Sequence, residues 1–284
     1  MANKSVLFVI PVLFFSGLLI YLILWNLYYS FTDWSVINPV PKFVGFETYL
    51  TTITSSTFID SLLHSLEISV IMVIAGNIIG LLLAGLLFSI KSNSYRIAIM
   101  SIFVYPLTIS MAANGLIFLW LFNPIIGINW ILGLLHLPQP AWLAQDTIYS
   151  IILIMLWAYS GLSMLFYLAS FMNIDKSIIE AAYIDGANYF RIFRKILIPN
   201  SMNGFIISTA LLFLFSFRVF TLPYIITGGP INYYAETLLT YQYYLFDSSY
   251  FAQSSVVDTI VVAIALAVVV PYALLGMKRW VYGE

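Results

Sequence analysis

Long apolar stretches separated by short polar connections dominate the pattern along this chain. A transmembrane helix needs about 20 consecutive, mainly apolar residues. The stretches that reach this length are 6–31, 61–90, 97–122, 148–172, 203–226 and 256–277. The pattern predicts an all-α membrane protein with about six transmembrane helices, in a single transmembrane domain over residues 1–284.

The first apolar stretch resembles a secretory signal in its position, because Lys4 precedes it. It continues from Val6 to about Phe31, some 26 residues, whereas the apolar core of a signal peptide has about 7–15. No small-x-small cleavage sequence follows it. We therefore interpret this stretch as a retained first span.

Basic residues are divided unevenly between alternate connections. Only Lys42 lies in the connections of one set, and Arg218 lies inside the fifth stretch. The other set, which includes both termini, holds Lys4, Lys91, Arg96, Lys176, Arg191, Arg194, Lys195, Lys278 and Arg279. Because Lys and Arg accumulate in cytoplasmic loops, we expect a multi-pass protein of the cell membrane with both termini in the cytoplasm.

The composition supports the membrane class and excludes several others. The chain is 62% apolar and 8% charged, with a mean hydropathy of +0.99, whereas soluble domains are about 25% charged. A net charge of −1 argues against a nucleic-acid partner. With no cysteine and two histidines 72 residues apart, His64 and His136, the sequence predicts no disulfide, iron–sulfur cluster or metal site.

The connection 173–200 differs from the others in length and character. Ser177 and Glu180 have the spacing of a capping box, which predicts the start of a short helix. Gly186 would end or bend it, and Pro199 would end the basic segment that follows. Physical reasoning leaves two interpretations open: a surface that a second protein approaches over its small alanines, or a helix that lies on anionic lipid.

A spaced motif in this connection resembles a known family. Glu180-Ala181-Ala182 is followed after three residues by Gly186 and after nine more by Ile196-Leu197-Ile198-Pro199. This looks like the EAA loop of binding-protein-dependent ABC permeases, with Ile198 in the place of the usual Leu. The resemblance implies the transmembrane domain of a type I ABC importer and a coupling helix that docks on a separate ATPase. Glu180, Ala181, Ala182 and Asp185 would lie at or near the contact, with Gly186 as the bend.

The sequence lacks a Gly-x-x-x-x-Gly-Lys-Ser/Thr phosphate loop. We therefore expect a permease that is not itself an enzyme and needs no cofactor of its own, with ATP and Mg²⁺ bound by partner subunits. The resemblance implies an assembly with a second, related permease, two ATPase subunits and an extracytoplasmic substrate-binding protein.

A second resemblance concerns the substrate. The segments 217–221, 227–230 and 236–246 are similar to carbohydrate-importer permeases of the type found in maltose and glycerol-phosphate importers, although Thr221 replaces the Asp that many of them have. The resemblance implies a sugar importer. The alternatives are a secondary transporter, which needs no docking loop, a membrane enzyme, and an ABC importer for a solute other than a sugar.

Polar residues inside the apolar stretches are candidates for the substrate pathway, because they are costly in a bilayer. At about 1.5 Å per residue, Arg218 would lie about 24 Å along the fifth span, counted from Met202. There it would either reach the outer interface or form a structural pair, or it would line an outer vestibule. Asp258 is a possible partner for it. Asn77 and Asn114 would form interhelical hydrogen bonds or contact sugar.

Two further features concern helix ends. Pro106 predicts a kink in the third span. Asp60, His64 and Glu67 form a polar stripe at the external start of the second span, which we interpret as a solvated helix end.

Overall fold

The computed structural model describes residues 4–282, with the side chains of residues 9–276, and its regular elements are helices. Within this described part of the chain, the only strand-like pairing is an isolated bridge between Thr32 and Phe43. The helices are α1 (Lys4–Tyr29), α2 (Glu47–Ile53), α3 (Ser56–Ser89), α4 (Asn93–Thr108), α5 (Met111–Leu121), α6 (Ile128–Leu134), α7 (Thr147–Met172), α8 (Lys176–Ile184), α9 (Tyr189–Ile192), α10 (Ile198–Asn200), α11 (Met202–Phe217), α12 (Thr221–Thr227), α13 (Leu238–Asp247) and α14 (Phe251–Tyr282).

Four helices are each long and apolar enough to cross a membrane, namely α3, α7 and the Val9–Tyr29 and Phe251–Gly276 parts of α1 and α14. Two further units are bent pairs: α4 with α5 at 97°, and Tyr189–Asn200 with α11 at 67°. If each bent pair is one span, the described part of the chain has up to six spans. The predicted all-α membrane fold is confirmed.

The stretch predicted at 203–226 divides into two helices, because α11 ends at Phe217 and α12 begins at Thr221. Pro223 has no N–H group to donate to the carbonyl of Val219, four residues earlier. The hydroxyl of Thr237 donates to that carbonyl instead, at 2.9 Å. Arg218 follows the last residue of α11 as its C-cap. It does not lie inside a continuous span, contrary to the prediction from the sequence.

Proline also marks the other two breaks. Pro106 lies inside α4, but the chain bends after it, at Ile109 and Ser110, where the Ser110 hydroxyl caps α5 by accepting from the N–H of Ala113. Pro199 cannot donate to the carbonyl four residues earlier, and the backbone before it widens into a π turn over Phe193–Leu197. A helix with such a turn is often found at functional positions.

The long helix α3 connects the two ends of the molecule. Its 34 residues correspond to about 50 Å of helix. Near its C-terminal end, Ala84 and Leu87 pack in one apolar cluster with Ile192 and Leu197 of the 173–200 loop. Near its N-terminal end, Ser65 accepts a hydrogen bond from the N–H of Leu238. We call these two ends of the molecule the loop face and the distal face.

Small residues bring α3, α4 and α7 together. A Cβ on Gly80 would meet Ser163 and the backbone of Met164, and a Cβ on Gly161 would meet the carbonyl of Phe103. Such close approach of backbones is how helices associate where no hydrophobic effect separates protein from lipid. These helices therefore form one closely packed unit.

In contrast, α1 has almost no support. None of the most apolar window within Val9–Tyr29 is buried. It is anchored near its C-terminal end, where the Asn26 amide donates to the Ser255 carbonyl at 3.2 Å and to the Thr259 hydroxyl at 3.1 Å. The apolar side chains of α1 are therefore exposed and not packed against the rest of the described chain.

Candidate coupling site and substrate pathway

The 173–200 loop folds into two short helical pieces. The first, α8, begins two residues earlier than the predicted capping box, because Asp175, and not Ser177, caps it. The carboxylate of Asp175 accepts from the N–H of Ser177 at 2.9 Å, and this hydrogen bond lowers its pKa. The predicted Ser177–Glu180 capping box is therefore wrong, although a helix does form where it was expected.

Gly186 separates the two pieces. Its φ of +77° is in the left-handed region that glycine adopts without a Cβ penalty. The N–H of Ala187 donates to Ala182 and the N–H of Gly186 donates to Tyr183, at 2.9 and 3.0 Å, which is a Schellman ending. Asn188 then caps α9 by accepting from the N–H of Arg191.

The motif residues lie on different sides of α8. Glu180, Ala181 and Asp185 are exposed, whereas Ala182 is half-buried and packs against the apolar cluster at the loop face. Pro199 is exposed at the end of the second piece. Exposed apolar side chains flank the motif residues, and they are Ile178, Tyr183, Ile184 and Phe190. An apolar surface with a few carboxylates suits a protein partner.

Buried contacts attach this loop firmly to the spans. The hydroxyl of Tyr189 donates to the carbonyl of Gly85 in α3, and the ring of Phe193 lies where a Cβ on Gly85 would otherwise be. Ile192 and Leu197 are almost fully buried beside them. Sequence analysis did not select these residues, although their apolar spacing of three to five residues marks a helix face that packs inward.

Arg218 lines a cavity of about 360 Å³ at the end of α11. In the wall of this cavity, the rings of Tyr159 and Phe215 are stacked with centroids 4.9 Å apart and an interplanar angle of 9°. Asp258, in α14, is not among the residues that line this cavity. A guanidinium, a phenol and aromatic faces together provide hydrogen bonds and apolar contact for a polyhydroxylated ligand.

The two candidate asparagines have different surroundings. The amide of Asn77 donates to the Val73 carbonyl at 2.7 Å and to the Thr209 hydroxyl at 3.1 Å, and it accepts from Tyr167 at 2.8 Å. Asn77 therefore links α3, α7 and α11. Asn114 is fully buried, one helical turn beyond the cavity residue Met111. Within the described part of the chain, its amide atoms have no hydrogen-bond partner.

The described residues contain no group of three or more His, Cys, Asp or Glu side chains arranged to hold a metal ion. The structure thus places Arg218 in the wall of one cavity, whose lining does not include Asp258. It places Asn77 in a bonded interhelical contact and the coupling-loop residues at the opposite end of the spans.

Bent helix pairs, a surface loop attached to the spans by buried contacts and a cavity between helices are features expected of a membrane transport subunit. Residues 76–277 match the family described as "Binding-protein-dependent transport system inner membrane component", and the chain belongs to this family. The resemblance to ABC permeases is thereby confirmed.

Individual relatives agree with this assignment. The chain is 51% identical over 283 residues to "Glucose import system permease protein GlcT" of Saccharolobus solfataricus, covering 99% of each chain. It is 28% identical to "Xylose/arabinose import permease protein XacH" of Haloferax volcanii, covering 90% of this chain and 82% of that one. Among solved structures, it is similar to a chain of a bacterial alginate ABC transporter, with a TM-score of 0.74 and 21% identity, covering 97% of this chain and 99% of that one.

Proposed function

We propose that this chain is a permease subunit of an ATP-driven importer for a small sugar such as glucose. The observation that supports this most strongly is the 51% identity, over essentially the whole length, to a glucose import permease. The whole chain 1–284 would act as one permease domain that forms half of the pathway. A cavity with a guanidinium and stacked rings suits sugar hydroxyls.

The 173–200 loop would couple this permease to ATP hydrolysis on a separate subunit. Its exposed Glu180, Ala181 and Asp185, with Ala182, Gly186 and Pro199 as structural supports, would form the contact. Tyr189 and Phe193 would pass movement of the loop to α3. ATP and Mg²⁺ would bind to the ATPase subunits, since the chain has no phosphate loop.

The assembly would contain this chain, a second related permease, two ATPase subunits and an extracytoplasmic binding protein. One solved relative, with a TM-score of 0.76 and 20% identity over 98% of this chain and 94% of that one, is a bacterial alginate ABC transporter in complex with a pentasaccharide-bound periplasmic protein. The distribution of basic residues supports a cytoplasmic loop face and cytoplasmic termini.

The substrate pathway would pass the cavity lined by Arg218. Asp258 would offset the charge of that guanidinium from α14, and Asn114 would offer its amide from α5. Asn77 would hold α3, α7 and α11 together around the pathway. Of these residues, Arg218 lines the cavity directly, so its replacement is the most direct test of the pathway.

Uptake of radiolabelled glucose tests the proposal. The complete complex, reconstituted in liposomes with its binding protein outside and ATP inside, should accumulate glucose, and omission of ATP should abolish uptake. Arg218→Ala should reduce uptake at least about 10-fold, because it removes a charge-assisted contact with the sugar. The variant complex should still assemble normally. Lys42→Ala, another basic residue, is the control. Uptake by this chain alone without ATP would instead indicate a secondary transporter.

A further inference from the structure

The distal face carries mainly negative charge. Apart from Arg218, which follows α11 and lines the cavity there, the segments at this end contain one basic residue, Lys42. Their seven carboxylates are Asp33, Glu47, Asp60, Glu67, Asp146, Glu236 and Asp247. The 173–200 loop at the other end contains three carboxylates and four basic residues. A shortage of basic residues on one side is common in membrane proteins, but this shortage does not account for an accumulation of carboxylates.

Two of these carboxylates line a pocket of about 250 Å³ at the distal face. Three tyrosines also line this pocket, and their side chains are 45–73% exposed. The complete lining is Asp60, His64, Glu67, Gln145, Ile148, Tyr149, Tyr233 and Tyr234. We call this site the carboxylate–tyrosine pocket. Exposed tyrosines of this kind are typical of protein interfaces, because the ring offers apolar area and the hydroxyl a hydrogen bond.

A third carboxylate lies next to the pocket. Glu236 is only 4% exposed, and its main-chain carbonyl contacts Nδ1 of the pocket residue His64 at 3.0 Å. Burial, and to a smaller extent the like charge of Asp60, raise the pKa of the Glu236 carboxyl to about 7. Within the described part of the chain, the hydrogen bonds of Glu236 involve its main chain and not its carboxylate. Glu236 therefore lies beside the carboxylate–tyrosine pocket without being part of its lining.

This combination favours a cationic ligand. The carboxylates of Asp60 and Glu67 provide negative charge from α3, and the faces of Tyr149, Tyr233 and Tyr234 attract ammonium or guanidinium groups. A neutral sugar would obtain hydrogen bonds from the same pocket, but it would leave the negative charges of Asp60 and Glu67 without a counter-charge. The charges therefore distinguish between the two kinds of ligand.

We propose that the carboxylate–tyrosine pocket receives a lysine or arginine side chain from the extracytoplasmic binding protein when that protein docks on the distal face. The inference rests on the proposed function, since it needs the extracytoplasmic binding protein of that assembly. The distal face is opposite the loop that would contact the ATPase, so a soluble protein delivering substrate would meet it first. Charge complementarity would also accelerate the encounter.

Binding measurements at two salt concentrations test this docking site. The complete transporter complex in lipid nanodiscs would be titrated with its own binding protein, in 30 mM and 300 mM NaCl. We expect Asp60→Asn combined with Glu67→Gln to weaken binding at least about 10-fold at low salt and to reduce the effect of salt. Tyr233→Ala, at an exposed position, should weaken binding while the salt effect remains.

The matched control is Glu47→Gln combined with Asp247→Asn, which removes the same charge from the same face outside the pocket. It should change binding less than about threefold. Equal losses in the control and the pocket variant would indicate diffuse attraction and overturn the proposal, as would unchanged binding in both the pocket variant and Tyr233→Ala. If the pocket variants bind the binding protein normally but lose binding of free glucose, the pocket is a sugar subsite and the proposal is wrong.

Glucose uptake by the unmodified complex distinguishes this inference from the proposed function. If the unmodified complex takes up glucose with ATP but the pocket variants bind the binding protein normally, the docking site is wrong and the proposed function stands. Absence of ATP-dependent uptake by the unmodified complex would contradict the proposed function itself.

Discussion

At the scale of single residues, the surroundings of each carboxyl group determine the direction in which its pKa is shifted. Asp175 accepts from a backbone N–H, which stabilises its charged form and lowers its pKa. Glu236 is buried beside the like charge of Asp60, and both effects raise its pKa, to about 7. The two residues therefore respond to pH in opposite directions.

The raised pKa of Glu236 predicts a loss of stability towards alkaline pH. The folded protein holds this proton more tightly than the unfolded chain, whose pKa is 4.5. The resulting stabilisation is complete below pH 4.5 and disappears as the pH rises through about 7. Thermal unfolding of the purified chain in detergent should show a lower melting temperature at pH 8 than at pH 5, and a smaller difference in Glu236→Gln. Glu47→Gln, an exposed residue, is the control, and identical pH dependence in all three proteins would contradict the expectation.

Gly161 predicts a strong effect of a very small change. A Cβ at this position would overlap the carbonyl of Phe103 in α4, and backbone cannot move aside as a side chain can. Gly161→Ala should therefore cost roughly 1–3 kcal/mol, as overpacking typically does, and lower the melting temperature in detergent. Gly17→Ala, where nothing lies within 4 Å, should be harmless. Equal melting temperatures of the two variants would show that α4 and α7 are not packed as described.

At the scale of elements, proline and hydrogen-bond supply decide where the spans break. Apolar length alone predicts six stretches, because it measures only compatibility with lipid. It could not predict the division of 203–226, since that depends on Thr237, a residue outside the stretch, which bonds the carbonyl that Pro223 leaves free. Similarly, the chain bends at Ser110, which caps α5, and not at Pro106 itself.

The bend of the 173–200 loop can be tested at Gly186. Alanine at a left-handed φ costs about 1–2 kcal/mol, so Gly186→Ala should disturb the angle between α8 and α9. We expect a reduced stimulation of ATPase activity by the sugar-loaded binding protein, at least about threefold, with normal assembly of the complex. Gly229→Ala, where no neighbour lies within 4 Å and φ is not left-handed, should have no effect. Stimulation equal to that of the unmodified complex would refute a role for this bend in coupling.

At the scale of the whole molecule, the uneven distribution of charge predicts which face is external. The absence of cysteine allows a direct measurement, because a single introduced thiol is the only reactive group. In intact cells, Ser35→Cys at the distal face should react with a membrane-impermeant maleimide. Ser177→Cys in the 173–200 loop should react only after the membrane is permeabilised. The opposite pattern would mean that the orientation inferred from the basic residues is wrong.

The sequence selects candidates for the coupling site more sharply than candidates for the pathway, for a physical reason. The coupling site is one continuous segment, so the spacing of Glu180, Gly186 and Pro199 was sufficient to select it. The pathway cavity combines Met111, Tyr159 and Arg218 from separate helices, and no spacing within one segment encodes that meeting. The same applies to the carboxylate–tyrosine pocket, where Asp60 and Glu67 alone indicated only a solvated helix end.

The continuity of α3 has a consequence for how this chain tolerates changes of length. The same proline-free helix holds His64 against the 228–237 segment and Gly85 against the 173–200 loop. Each residue added between those two positions would turn one end relative to the other by about 100° and displace it by about 1.5 Å. An insertion within this interval would therefore keep the residues of both contacts but turn one of them away from its partner. Lengthening α3 by a whole number of turns is thus the only kind of insertion that keeps the two faces in phase.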